Sequence, residues 1–95
     1  SLIERYCKIL SVLRNTTLLP THIMYKTNIS WVELTKLLSH LEDNQELIKR
    51  TTLCECEEGL DYRHTSALHY TLTGEGMTTL LTYQTVCSDL GLNLK

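Results

Sequence analysis

Residues 21–43 read THIMYKTNISWVELTKLLSHLED, and this stretch decides the fold. Ser30-Trp31-Val32-Glu33 has the spacing of a capping box: the serine hydroxyl accepts from the amide of Glu33, and the glutamate reaches back. Ile29 and Leu34 flank that start at the separation of a hydrophobic staple. Leu34, Leu37, Leu38 and Leu41 then recur at helical spacing and predict one buried stripe. Thr35, Lys36, Ser39 and His40 fall on the other faces. Glu42-Asp43-Asn44 ends the pattern, with Asn44 expected to turn left-handed.

Upstream, Leu18-Leu19-Pro20 is an extended step, because proline drives the residue before it out of the helical region. Thr21 is placed to cap a short helix over 22–26, and Thr27-Asn28 to close it as a tight turn. Residues 21–43 therefore predict helix, short turn, helix, the second with a sharp start and a polar outer face. That is the logic of a helix-turn-helix. A preceding helix is expected over 2–14, where Leu2, Ile3, Tyr6, Ile9, Leu10 and Leu13 make one apolar stripe.

Downstream, residues 47–56 are rich in β-branched and apolar types and predict a strand. Residues 67–72 alternate, with Leu68, Tyr70 and Leu72 on one face, and form its return. The connection is long and acidic, carrying Glu57, Glu58 and Asp61 just after Glu55. Thr73-Gly74-Glu75-Gly76 opens a last helix over 75–90, in which Leu80, Tyr83, Cys87 and Leu90 follow the spacing of a heptad seam. The expected class is α+β and mostly helical: a winged helix-turn-helix of three helices, a two-stranded wing and a C-terminal dimerisation helix. One domain is expected over 1–95, with the helix-turn-helix at 21–43, the wing at 47–72 and the dimerisation helix at 75–90.

Composition agrees. Ninety-five residues suffice for one domain and leave little room for a catalytic cleft. Nineteen leucines and no phenylalanine predict an aliphatic core. The net charge of −2 implies no bulk grip on a polyanion, but its distribution is uneven. Residues 1–50 carry seven basic and five acidic side chains, and residues 51–95 two and six, so a polyanion is expected to approach the first half. No apolar run is long enough for a membrane span or a signal segment, so a cytoplasmic chain with reduced thiols at Cys7, Cys54, Cys56 and Cys87 is expected. The sequence begins at Ser1, as expected of a trimmed, tagged or fragmentary chain.

Thr21-His22-Ile23-Met24-Tyr25-Lys26-Thr27-Asn28-Ile29-Ser30 resembles the T-x-I-M-Y-x-x-N-L-S segment of an archaeal winged-helix family of small dimeric DNA-binding proteins and predicted transcriptional regulators. Tyr70-Thr71-Leu72-Thr73-Gly74-Glu75-Gly76 resembles that family's Y-x-L-T-x-x-G exit from the wing. The likeness covers roughly residues 3–90. It implies double-stranded DNA as partner, entry of the Ser30–Asp43 helix into the major groove, and pairing of the last helices of two copies. This chain departs from the family in its slight acidity, its longer acidic wing and its shorter last helix.

Groove-reading residues belong near the start of the second helix, opposite the leucines. That selects Ser30, Trp31, Thr35, Lys36 and Ser39, with Lys26 and Asn28 in the turn before them. Lysines suit phosphates, and Ser and Thr can bond base edges. Trp31 is open to two readings, packing into the domain or covering sugar and thymine methyl groups. Lys49 and Arg50 at the base of the ribbon are phosphate candidates, and Arg63 lies near the wing tip beside His64. Leu80, Tyr83, Cys87 and Leu90 are the dimerisation candidates. Cys54, Cys56, His64 and His69 are soft-metal ligand types, but Cys-x-Cys is not the spacing of a structural zinc site, and strand parity sets His69 on the face away from Tyr70 and Leu72. No metal, cofactor or catalytic residue is assigned. A sequence-specific, homodimeric regulator is the reading. A winged-helix protein-interaction module and a metal- or thiol-responsive regulator are its alternatives.

Overall fold

The computed structural model describes residues 2–53 and 67–92. Helix α1 (Leu2–Val12) is followed by α2 (Pro20–Thr27), α3 (Trp31–Ser39), a π turn (His40–Asn44), strands β1 (Ile48–Leu53) and β2 (Ala67–Leu72), and α4 (Gly74–Asp89). This is the expected α+β winged-helix architecture.

Pro20 does not merely precede α2; it is the first helical residue, with Leu19 at the cap and no side-chain bond there. Proline fits that position because its φ is already helical and its missing N–H would have had no partner. Thr21 is thus displaced from the capping role expected of it. Thr27 is the last residue of α2 and is buried, its hydroxyl donating to the Ile23 carbonyl at 2.7 Å. Asn28 then turns left-handed at φ 59°, and its N–H donates to the Met24 carbonyl. Asparagine tolerates this geometry better than any residue but glycine.

The start of α3 is half of the expected box. The Ser30 hydroxyl accepts from the Glu33 N–H at a long 3.4 Å. The Glu33 carboxylate does not reach back; it accepts from Arg5 of α1 at 2.6 Å. A charged partner outcompetes a backbone amide for a carboxylate. At the far end the left-handed residue is Glu46 (φ 53°), not Asn44. That twist aims the Glu46 carbonyl at the Thr73 hydroxyl, 2.8 Å away, and Leu47 N–H donates to the Leu41 carbonyl at 2.9 Å.

Strands β1 and β2 pair antiparallel, with Ile48 opposite Leu72 and Arg50 opposite Tyr70. The extended step before Pro20 joins them: Leu18 and Tyr70 exchange two backbone bonds of 3.0 and 2.7 Å. Thr73 caps α4, its hydroxyl accepting from Gly76 N–H at 3.0 Å. Gly76 is required here by contact. A Cβ on it would lie 2.0 Å from the Leu47 carbonyl oxygen and 2.8 Å from Leu72.

The core is aliphatic throughout: Ile9, Leu10 and Leu13 of α1, Ile23 of α2, Leu34, Leu37 and Leu38 of α3, then Leu18, Ile29, Leu41, Ile48 and Leu80. Each such burial is worth roughly 1.5–3 kcal/mol relative to exposure. Leu2 and Ile3, expected in the α1 stripe, are exposed at its first turn, and Cys7 is buried in their place. Among the described residues no helix is long and apolar enough to cross a membrane.

Candidate nucleic-acid interface

Helix α3 separates its faces cleanly. Leu34, Leu37 and Leu38 are buried, and a rotation of about 100° per residue then puts Val32, Lys36 and Ser39 at the middle of the opposite face. All three are exposed. Trp31 and Thr35 lie on one flank of that face. Trp31 is 46% exposed and forms part of the surface. Thr35 is half-buried, and its hydroxyl donates to the Val32 carbonyl of its own helix at 2.9 Å. A shallow groove runs along the C-terminal part of this face, lined by Thr35, Lys36, Ser39, His40 and Asp43.

Two expected contact residues have local tasks as well. Asn28 ends α2 in its left-handed turn, and Ser30 caps α3. Both are exposed, as is Lys26 in the last turn of α2. Between Pro20 and Ser39 the only acidic residue is Glu33, and Arg5 pairs with it. Over that span the surface therefore carries Lys26 and Lys36 with its one carboxylate paired, and Asp43 of the π turn adds an exposed acid at the C-terminal end of the face.

On the wing, Lys49 is exposed. Arg50 is bound to the Glu42 carboxylate of the π turn at 2.7 Å, which raises its pKa chiefly through that hydrogen bond. Arg50 thus ties β1 to the end of α3, a role that competes with phosphate. Tyr70, across the ladder from it, has its pKa raised chiefly by burial. Arg63, Cys54, Cys56 and His64 lie outside the described residues. His69 is half-buried on β2.

The seam expected to meet a second copy is split. Leu80 is wholly buried in the core of its own chain, and Cys87 is buried too. The reason is that α4 packs across α1. Burial, then the neighbouring Cys87, pushes the Cys7 thiol up to about 11. A hydrogen bond with Cys87 is the main cause that pushes the Tyr83 hydroxyl up to about 12. Tyr83 is half-buried and Leu90 is 69% exposed, with Val86 exposed between them. Beside Tyr83, an apolar recess of about 260 Å³ opens among Tyr6, Cys7, Leu10, Leu41 and Leu47.

Residues 1–89 match the family model described as winged helix-turn-helix. The chain belongs to that family. Solved winged-helix structures superpose on it. An apo mutant of Lactococcus lactis ZitR has a TM-score of 0.70 at 23% identity, covering 90% of this chain and 58% of that one. A PadR-like transcription factor from Bacteroides fragilis has 0.72 at 21%, covering 92% and 82%. The MarR family transcriptional regulator SPO1453 from Silicibacter pomeroyi has 0.61 at 13%, covering 92% and 54%. The winged-helix chain thus spans less than two thirds of ZitR, and at these identities the likeness is one of fold. No curated protein sequence matches it.

Two exposed residues of this winged helix escaped the sequence reading: Tyr25 on α2, 78% exposed, and Val32 on α3, 65% exposed. Both have apolar bodies, which by residue type alone belong to a core. The signal was present in α3, since Val32, Lys36 and Ser39 recur at helical spacing opposite the leucines.

Proposed function

We propose that this chain is a DNA-binding transcription regulator that acts on double-stranded DNA in the cytoplasm, as a homodimer of single-domain subunits spanning residues 1–95. One observation carries the reading: α3 spends every leucine inward and leaves Val32, Lys36 and Ser39 outward, and the sole acid of α3 itself is paired with Arg5. A rigid helix with a sharp N-terminus and an open, mildly basic face is suited to the major groove. The motif likeness to small archaeal DNA-binding dimers at 21–30 and 70–76 supports it.

In this reading Trp31, Lys36 and Ser39 approach bases. Lys26, Lys49 and the amides beside Asn28 and Ser30 meet the backbone, with Arg63 a wing contact. Arg50 contributes by holding the wing on α3. The outward Val86 and the C-cap residue Leu90, with the half-buried Tyr83 at the edge of the α1 contact, meet the second copy, while Leu80 and Cys87 hold α4 to α1. The buried, proton-holding Cys7 opposes a thiol-sensing role for that cysteine, since the thiolate is the reactive form.

Anisotropy titration against pooled genomic fragments at graded salt tests the proposal. Binding should weaken on a log–log salt plot with a slope of about −0.9 per phosphate contacted. Lys36→Glu should lower affinity and flatten the slope. Absence of salt-sensitive binding at micromolar protein refutes the reading. Light scattering of the same sample reports the dimer.

A further inference from the structure

Val32 is the residue on the α3 surface that phosphate binding leaves without a task. It sits in the first turn of α3, 65% exposed, with Lys36 one turn on and Ser39 two turns on. Solvation gives no reason for a β-branched aliphatic residue at an exposed helical position, and helix propensity opposes it. The core gives no reason either, because the leucines of α3 occupy the opposite face. Trp31 adds a second half-exposed apolar surface beside it. The surroundings are cationic: Lys26 and Lys36 are exposed, and the Arg5–Glu33 pair removes the one negative charge of α2 and α3.

An apolar spot inside a basic frame, in the first turn of a groove-directed helix, complements one feature of a duplex. In the major groove the 5-methyl of thymine is the apolar group that a base edge presents. Valine suits it physically. Its χ1 is fixed to one rotamer in a helix, so two methyl groups are held ready with little entropy left to lose. We propose that Val32, seconded by Trp31, reads the 5-methyl group of a thymine in each half-site, so that the protein selects a T·A pair at one fixed position. This rests on the DNA-binding reading and adds a specificity that the lysines cannot supply, since phosphate contacts carry no sequence information.

The test begins with selection from a randomised duplex pool at low salt. Each thymine of the recovered sequence is then replaced singly by deoxyuridine, which deletes the methyl and keeps the hydrogen-bonding edge. One position per half-site should lose about fourfold in affinity, the worth of one buried methyl-sized group. Val32→Ala should bind thymine and deoxyuridine duplexes equally at that position, with an unchanged salt slope and a melting temperature no lower than the parent's. Duplex binding that ignores every deoxyuridine, or a thymine preference that Val32→Ala leaves intact, overturns the inference while the DNA-binding reading stands. Recovery of no duplex at all overturns both and assigns the patch to a protein partner.

Discussion

Helices α3 and α4 are both leucine-bearing and both begin at a hydroxyl cap, yet they use their apolar residues differently. Helix α3 commits Leu34, Leu37 and Leu38 to one core and shows solvent a face with Lys36 at its centre. Helix α4 divides its set: Gly76, Leu80 and Cys87 face the chain's own core, while Val86 and the C-cap residue Leu90 remain exposed on another side. Apart from the exposed Val32 and Trp31, the apolar residues of α3 are explained by its own domain. A helix with two apolar sides has an unfilled demand, and a regular seam in its sequence does not say which surface answers which demand.

The sharpest way to break this comparison is truncation. Leu34→Ala and Leu80→Ala should each cost about 2–5 kcal/mol, because both side chains are wholly buried in one core. For a domain of this size each kcal/mol lowers the melting temperature by about 4–8 °C. Leu90→Ala should stay within about 0.5 kcal/mol at a concentration where the chain is monomeric, yet lower the apparent mass by light scattering where it is not. If Leu80→Ala moves the mass and spares the melt, the division of α4 drawn above is wrong.

The seating of α4 on the ribbon is sharpened by Gly76→Ala. The added carbon meets backbone at Leu47, which cannot swing aside as a side chain would. A loss of about 1–3 kcal/mol is expected in urea melts. Helix α3 holds no glycine and offers no equivalent test.

Proton linkage separates the helices next. Cys7 and Tyr83 join α1 to α4, and both are held protonated in the fold, up to about 11 and about 12. A group with a raised folded pKa contributes its stability in full below its unfolded pKa and loses it as pH climbs through the folded value. Stability should therefore be flat near pH 8 and fall from about 9 to 12, the span between the ordinary values of 9.0 and 10.0 and the folded ones. Cys7→Ser should remove the lower part of that fall, measured as denaturation midpoint against pH.

The smallest contrast lies in the caps. Thr73 both receives the Gly76 N–H at 3.0 Å and donates to the Glu46 carbonyl at 2.8 Å, whereas the Ser30 bond is 3.4 Å long. Thr73→Ala should cost about 1–2 kcal/mol and Ser30→Ala about 0.5 kcal/mol by thermal melting. Equal costs would mean that the link to Glu46 contributes nothing.

Much of the site was legible because its signals are local. The leucine spacing over 34–41 set the inward and outward faces of α3, and Ser30 and Thr73 marked the starts of two helices. What escaped depends on residues far apart in the chain. Glu33 was read as half of a capping box, but Arg5, twenty-eight positions away, takes it. Lys49 and Arg50 are both phosphate candidates by residue type, and only the fold shows that Glu42 binds Arg50. The outward position of Val32 is legible in its spacing with Lys36 and Ser39, although its apolar type by itself points to a core.

By itself, then, the amino-acid order determined the element sequence, the aliphatic core and the buried stripe of α3. Periodicity, caps and proline act within a few residues, and their energies do not depend on how the rest of the chain arrives. Only the tertiary structure decided that Leu80 and Cys87 lean on α1, that Leu18 pairs with Tyr70, and that Glu33 is neutralised from another helix. A carboxylate, a thiol or an apolar seam has several possible partners of similar chemistry, and packing in three dimensions selects among them by distance.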